Sequence, residues 1–154
     1  MRNFEKTVEI AVPPDRVWAV MIDVEHWSDW TASITSIRKL DPPPFAVGSR
    51  VHIVQPKLRP GVWTVTDVEP GRSFTWTSGA SGFMRVFARH DVEPTDSGCR
   101  VTLSVVFKGI LGAFAAAAYG KLTAEYMGME AAGLKRRSET RGATEPISSG
   151  QRSS

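Results

Sequence analysis

The chain offers few residues with obvious catalytic chemistry, and histidine is the most informative of them. Its three histidines are His26, His52 and His90. They lie on different predicted elements without the spacing of metal ligands, so we expect no metal site. His90 falls on the apolar face of a predicted strand, where an imidazole could orient a carbonyl or phenol or act as a general base. The alternative is a strand-end histidine that is hydrogen-bonded to the backbone or to water.

A second group of polar residues could assist such a site. Gln55 interrupts the apolar face of another predicted strand, and a buried amide needs a partner, either a ligand or a nearby loop. On the long helix near the C-terminus, Glu125 or Tyr126 could supply a further polar group, with solvent exposure as the ordinary alternative for Glu125. Phosphate-binding, dinucleotide-binding, zinc-protease and GxSxG motifs are missing from the sequence. We therefore expect no cofactor.

Alternating apolar and polar residues predict the strands that position these side chains. The predicted inward face of the strand with His90 also carries Met84, Val86, Ala88 and Val92. Seven strands are predicted, over residues 4–12, 34–40, 49–56, 62–69, 73–78, 83–93 and 100–107. Two short helices, over residues 16–22 and 23–30, follow the first strand. Because turn residues link the later strands as hairpins, we expect an antiparallel sheet with one buried face.

The long helix is predicted over Ile110–Arg137, where helix formers continue without a proline. At about 1.5 Å per residue it is roughly 40 Å long, so it must lie across the sheet in a two-layer α+β domain. Its inner stripe begins with Leu111 and Phe114 and continues with Ala115–Ala118. Such small residues leave space under a strongly curved sheet, which indicates a ligand-filled cavity. Tight helix–sheet packing is the alternative.

Periodicity does not decide which face of this helix lines the cavity. One candidate stripe consists of Phe114, Ala118, Glu125 and Met129, and a neighbouring one consists of Tyr119, Leu122, Tyr126 and Met129.

Length and composition predict one globular domain over residues 1–138. Residues 139–154 are rich in Ser, Gly, Thr, Arg and Pro, and we expect this tail to be disordered. The chain carries a net charge of +3, but basic residues outnumber acidic ones only from Leu134 onward. A nucleic-acid-binding protein would carry its basic residues on a folded face, so we expect no nucleic-acid partner.

Three further features predict a cytoplasmic protein. The single cysteine, Cys99, excludes an internal disulfide and suits a reducing compartment. The N-terminus carries charge where a signal peptide needs an apolar run. The apolar stretch at residues 110–120 is too short to span a bilayer, so no stable membrane insertion is expected. The oligomeric state is left open.

The element order and several segments resemble the START-like, or SRPBCC, superfamily, in particular its polyketide cyclase/dehydrase branch. The opening segment is VEIAVPPDRVWAVMIDVEHWSDW, and the later ones are VGSRVHIVQP, VTDVEPGRSFTWTS and the alanine-rich C-terminal helix. The resemblance covers Phe4 to about Glu139. It implies a helix-grip fold, in which a curved antiparallel sheet of about seven strands wraps around the C-terminal helix. It is much less specific for function, because the superfamily includes cyclases, dehydratases, lipid carriers and receptors.

Three hypotheses follow for the function. The first is binding of a small hydrophobic molecule, aromatic, polyketide-like or lipid-like, in an internal cavity. The second is a metal-free enzyme resembling polyketide cyclases and dehydratases, with His90 as the candidate catalytic residue and Gln55, Glu125 or Tyr126 as assisting groups. The third is a protein-interaction module with a filled core. The predicted ligand-contact residues are Trp27, Gln55, Phe74, Trp76, Met84, Ala88, His90, Phe107, Phe114, Ala118, Leu122 and Met129.

Overall fold

A seven-stranded sheet and a long helix form the two layers of the computed structural model, which describes residues 2–80 and 83–153 and the side chains of residues 3–79 and 83–140. Short helical segments follow the first strand. The elements are β1 (Arg2–Ile10), α1 (Pro14–Ile22), a 3₁₀ helix (Val24–Asp29), β2 (Ser36–Lys39), β3 (Arg50–Val54), β4 (Gly61–Glu69), β5 (Ser73–Ala80), β6 (Met84–Thr95), β7 (Gly98–Lys108) and α2 (Gly112–Ser153).

All neighbouring strands of the sheet are antiparallel, in the order β1-β7-β6-β5-β4-β3-β2. From β2 to β7 each strand pairs with the next along the chain, as expected for hairpin connections. β1 closes the order by pairing with β7, from Arg2 opposite Phe107 to Ile10 opposite Cys99. The predicted α+β class, with a curved antiparallel sheet and a long C-terminal helix, is confirmed.

Several predicted boundaries differ from the observed ones. β1 ends at Ile10 rather than residue 12, and β2 is four residues long. α2 begins at Gly112 rather than Ile110, because Gly109 adopts a φ of 100° and the chain turns there. α2 also continues to Ser153, past its predicted end at residue 137. The side chains of residues 141–154 lie outside the description, so the predicted division into a domain of residues 1–138 and a disordered tail of residues 139–154 stays a prediction.

The core at one end of the sheet is filled by α1 and the 3₁₀ helix. Val17 and Met21 of α1 are fully buried, and Trp27 is nearly so. The Trp27 indole donates a hydrogen bond to the Met21 carbonyl oxygen at 2.9 Å, which fixes the 3₁₀ helix against α1. α2 crosses the next tryptophan, Trp30, at Gly133, where a Cβ atom would overlap the Trp30 carbonyl oxygen. Glycine at this position therefore permits close approach of the two backbones.

The two edge strands, β1 and β2, each have a glutamate bonded to a backbone N–H group. Glu25 of the 3₁₀ helix accepts a hydrogen bond from the Lys39 N–H group at 2.9 Å. Glu139 of α2 accepts one from the Ala11 N–H group, directly after β1, at 3.0 Å.

A helix that spans a bilayer must be both long and apolar. None of the helices in the described residues combines the length and the apolar character that a span needs.

Candidate functional site

A cavity of about 530 Å³ lies between the inner face of the sheet and α2. Strands β3 to β7 contribute its wall through residues that alternate along each strand, as Met84, Val86, Ala88 and His90 do on β6. This alternation follows from the period of two in a strand, which places every second side chain on the inner face. The cavity lining is largely apolar, and its few polar groups therefore determine what it can recognise.

Aromatic rings form one end of the cavity around His90. The centroids of Trp27 and Trp76 are 5.3 Å apart, and they lie 5.4 and 5.5 Å from the imidazole centroid of His90. Phe74 stacks on the same imidazole at 4.2 Å. β5 and β6 bring these rings together, because Phe74 is paired with His90 and Trp76 with Ala88 in the sheet. We call Trp27, Trp76 and His90 the aromatic end of the cavity, and Phe74 supports it from behind.

His90 is an uncharged polar group at this aromatic end. Its side chain is 4% exposed, and its Nδ1 atom makes no hydrogen bond to the described residues. Burial lowers the pKa of His90 to about 4, because the imidazolium loses its hydration, and a hydrogen bond with the Phe74 backbone opposes this only in part. At neutral pH the ring is therefore uncharged, and an uncharged imidazole can accept a hydrogen bond.

Glu130 of α2 is a second polar group that faces the cavity. It is half-buried and makes no hydrogen bond or ion pair with any side chain in the described part of the chain. Burial raises the pKa of this carboxyl to about 7, so a large fraction is protonated at neutral pH. Glu130 and His90 also line a smaller void beside the main cavity, together with Trp27. A base and an acid thus lie at the same end of one apolar space.

The cavity-facing side of α2 is now defined. Tyr119, Leu122 and Tyr126 line the cavity, whereas Phe114 and Met129 are exposed. The second of the two stripes considered above is therefore the lining one, apart from Met129. Tyr126 is 7% exposed, and its hydroxyl donates a hydrogen bond to the Pro56 carbonyl oxygen. This bond joins α2 to the β3–β4 loop, across the cavity.

Exposed lining residues mark the mouth of the cavity. Lys57 and Arg59 come from the β3–β4 loop, Gly79 from the end of β5 and Tyr119 from α2. The mouth therefore carries positive charge, while the aromatic end carries groups that are largely uncharged at neutral pH.

In the described residues no three His, Cys, Asp or Glu side chains are grouped so that they could hold a metal ion.

Eight of the twelve predicted ligand-contact residues line the cavity, and their role in binding stays a prediction. They are Trp27, Gln55, Trp76, Met84, Ala88, His90, Phe107 and Leu122.

Four predicted residues lie elsewhere. Phe74 is fully buried behind the His90 ring. Phe114, Ala118 and Met129 are exposed on α2, because the helical repeat of 3.6 residues turns them away from the Tyr119–Tyr126 side. At the start of α2, Ala115 and Ala116 are the buried residues instead of the predicted Leu111 and Phe114.

Glu130 was missed by the sequence reasoning, and Glu125, which was considered, is exposed. The available signal was spacing: Glu130 lies four residues after Tyr126 and eight after Leu122, so all three share one helix face. A glutamate among helix formers looks like a solvent-facing residue unless the phase of the helix is already known.

Comparison with known proteins agrees with this fold. Residues 1–139 match the family described as polyketide cyclase / dehydrase and lipid transport. An uncharacterized protein of Mycobacterium tuberculosis is 27% identical over 113 residues, which cover 68% of this chain and 65% of that protein.

Three solved structures have a similar fold. A Thermus thermophilus protein has a TM-score of 0.71 at 19% identity and covers 89% of this chain and 97% of its own. Ara h 8.0201 has a TM-score of 0.70 at 14% identity, with 90% and 98% coverage. The di-domain ARO/CYC StfQ from the steffimycin biosynthetic pathway has a TM-score of 0.74 at 12% identity, with 92% and 51% coverage. At these identities the similarity shows the fold alone.

Proposed function

Because the chain belongs to the polyketide cyclase/dehydrase and lipid transport family, of SRPBCC type, we propose that it binds a small hydrophobic molecule in the cavity between the sheet and α2. The observation that carries this proposal is the largely apolar cavity with His90 and Glu130 at its aromatic end. A volume of about 530 Å³ is in the range of sites for drug-sized ligands. Binding of an apolar ligand in a space of this size is favourable, because it removes apolar surface of the ligand and the cavity from water.

The polar groups narrow the class of ligand. His90 and Glu130 are positioned for a hydroxyl or carbonyl group, which can exchange hydrogen bonds with a neutral imidazole and a protonated carboxyl. The rings of Trp27 and Trp76 suit an aromatic or polyunsaturated body. Lys57 and Arg59 favour a polar or anionic group at the mouth. We therefore expect an aromatic, polyketide-like or lipid-like molecule whose uncharged hydroxyl or carbonyl enters first.

A second candidate function is a metal-free cyclase or dehydratase activity, which the shared position of His90 and Glu130 favours. In a dehydration, His90 would take a proton from the carbon next to a carbonyl while the carbon–oxygen bond to a β-hydroxyl breaks. Glu130 would give its proton to the departing oxygen, which leaves as water. A shaped apolar cavity would contribute by holding the chain in the reactive conformation. Glu130 takes the place of the exposed Glu125 in this scheme.

The third hypothesis, an interaction module with a filled core, is not favoured. Its distinguishing feature was the lack of internal space, and about 530 Å³ lies open under α2.

Binding can be tested with two alanine positions that differ in their relation to the cavity. Ala88 of β6 lines the cavity, whereas Ala118 of α2 is exposed. Ala88→Phe should fill part of the cavity and weaken binding of the apolar fluorophore 1-anilinonaphthalene-8-sulfonate by about tenfold or more, since the ring occupies ligand volume. Ala118→Phe should leave the affinity within about twofold. Equal effects of the two substitutions would contradict binding in this cavity.

Native mass spectrometry of protein purified gently from its own host would identify the ligand. We expect an additional mass that is lost on denaturation and is reduced in Ala88→Phe.

The enzyme hypothesis requires a further test of turnover. With the identified ligand, or with a β-hydroxy ketone analogue, His90→Ala should abolish turnover while retaining binding. Undiminished turnover in His90→Ala would remove the general-base role.

A further inference from the structure

Exposed apolar side chains are concentrated at the end of the molecule where α2 begins. Ile110 is 78% exposed and Phe114 is 71% exposed, and Phe83 and Leu111 are also exposed. We call Phe83, Ile110, Leu111 and Phe114 the rim patch. The backbone holds the patch together, since the Leu111 N–H group donates a hydrogen bond to the Phe83 carbonyl oxygen at 2.7 Å. Large exposed apolar side chains grouped in this way mark interaction surfaces.

The rim patch adjoins the cavity mouth. Met84, directly after Phe83, lines the cavity, and so does Phe107, which packs with Ala115 and Ala116 under the first turn of α2. Tyr119 is 46% exposed and lies on the cavity wall a little over one helical turn beyond Phe114. A partner that covers the rim patch therefore also lies at the opening of the apolar cavity.

The segments that supply the cavity mouth and the rim patch carry charge of one sign. Neither aspartate nor glutamate occurs in residues 55–66, 70–90 or 97–124, which together supply the mouth and the patch. Exposed basic side chains do occur there: Lys57 and Arg59 at the mouth, and Lys108 and Lys121 beside the patch. An apolar surface whose own segments carry basic and no acidic side chains is complementary to an apolar layer that lies beneath a layer of negative charge.

We propose that the rim patch docks this protein onto the surface of an anionic lipid bilayer, with Ile110 and Phe114 entering the headgroup region and the cavity mouth facing the membrane. Lys108 and Lys121 then lie at the level of the lipid phosphates. The association is peripheral, because the apolar side chains come from one short segment and one neighbouring turn. It would let an apolar ligand pass between bilayer and cavity without crossing water.

The proposal can be tested by flotation of the full chain with vesicles. Vesicles of equal parts phosphatidylcholine and phosphatidylglycerol should bind the protein, and pure phosphatidylcholine vesicles should bind it at least about tenfold more weakly. Raising NaCl from about 0.1 M to about 0.5 M should release much of the bound protein, since screening weakens the attraction of the lysines. Lack of binding to the anionic vesicles would overturn the proposal.

Matched substitutions separate the rim patch from general effects of charge. Ile110→Glu with Phe114→Glu should reduce binding to the anionic vesicles by about tenfold or more. Val47→Glu places the same single charge as Ile110→Glu alone on an exposed valine outside the patch, and we expect it to have a much smaller effect than Ile110→Glu. Lys108→Gln with Lys121→Gln should reduce both the binding and its salt dependence. Equal losses in the Val47 and patch variants would contradict the assignment of this surface.

A second copy of the chain is the competing occupant of the rim patch. Light scattering after size-exclusion chromatography measures this directly, and we expect the protein without lipid to be monomeric at micromolar concentration. A dimer that Ile110→Glu dissociates would overturn membrane docking in favour of self-association. The test of membrane docking is independent of the proposed ligand binding, because Ile110 and Phe114 do not line the cavity. Variants of these two residues should therefore bind the fluorophore with the affinity of the unmodified chain.

Discussion

The imidazole of His90 stacks on the phenyl ring of Phe74, with the ring planes inclined by only 11°. Phe74 is fully buried, so the stack forms a fixed wall behind His90. Packing on that side prevents water from reaching the ring, and the Nδ1 atom is left without a partner among the described residues. This relationship keeps a histidine uncharged inside an apolar cavity, and it leads directly to the first prediction.

Replacing His90 with phenylalanine should change how stability depends on pH. The folded-state pKa of about 4 lies below the ordinary value of 6.5, so the unfolded chain takes up a proton first as the pH falls. This contribution to the free energy of unfolding is complete above pH 6.5 and is lost between pH 6.5 and 4, by up to about 3 kcal/mol. His90→Phe lacks it. Urea denaturation from pH 4 to 7.5 should therefore show the difference between the two proteins changing with pH, and parallel profiles would contradict the prediction.

Glu130 should have the opposite pH dependence. Its folded-state pKa of about 7 exceeds the ordinary 4.5, so the folded chain holds a proton that the unfolded chain releases. Its contribution to stability is present below pH 4.5 and is lost as the pH rises to 7 and above, by at most about 3 kcal/mol. Glu130→Gln stays neutral and should become more stable than the unmodified chain as the pH increases. The same denaturation series tests this, and a pH-independent difference would disprove it.

Removing the Tyr126 hydroxyl should loosen the contact between α2 and the β3–β4 loop. Burial raises the pKa of Tyr126, so its hydroxyl remains a donor to the Pro56 carbonyl oxygen. Tyr126→Phe should lower the free energy of unfolding by about 1 kcal/mol and accelerate release of a bound fluorophore in stopped-flow measurements. The control is Tyr119→Phe, since Tyr119 also lines the cavity but is exposed and has no hydrogen bond within the described residues. Similar losses in both variants would argue against a specific role for the Tyr126 bond.

Two glycines of α2 should respond oppositely to alanine. A Cβ atom at Gly128 meets open space, whereas one at Gly133 would overlap the Trp30 carbonyl oxygen. Gly128→Ala should stabilise the protein by up to about 1 kcal/mol, because alanine is the better helix former. Gly133→Ala should destabilise it by about 1–3 kcal/mol through overpacking. Thermal denaturation measures both, and a stabilising effect of Gly133→Ala would show that α2 and Trp30 do not approach so closely.

The inner face of the sheet could be predicted because strand geometry leaves little freedom. Side chains alternate strictly, so the apolar positions of β6 also placed His90 on the inner face. The same rule could not place Phe74 behind His90 rather than on the cavity wall. That distinction depends on how closely the rings pack across β5 and β6, and no sequence pattern reports it.

The helix face was harder to predict because α2 is rich in alanine. Leu111 and Phe114 look like core residues by type, yet both are exposed, and the first turn of α2 packs on Phe107 of β7 through Ala115 and Ala116 instead. Alanine fits buried and exposed positions alike, as buried Ala116 and exposed Ala118 show. The rotation of α2 is instead set by long-range contacts such as Gly133 against Trp30. Glu130 could be recognised as a cavity residue only after those contacts were known.

The glutamates that bond to the sheet edges also bear on how this protein behaves at high concentration. An open sheet presents unpaired N–H groups at each edge, which can recruit a strand from another molecule and begin aggregation. Here the β2 edge is only four residues long, and Glu25 already occupies the Lys39 N–H group. Glu139 occupies the Ala11 N–H group at the end of β1. These carboxylates would have to be displaced, and their charge brought close to an incoming backbone, before strands of two molecules could join at those positions.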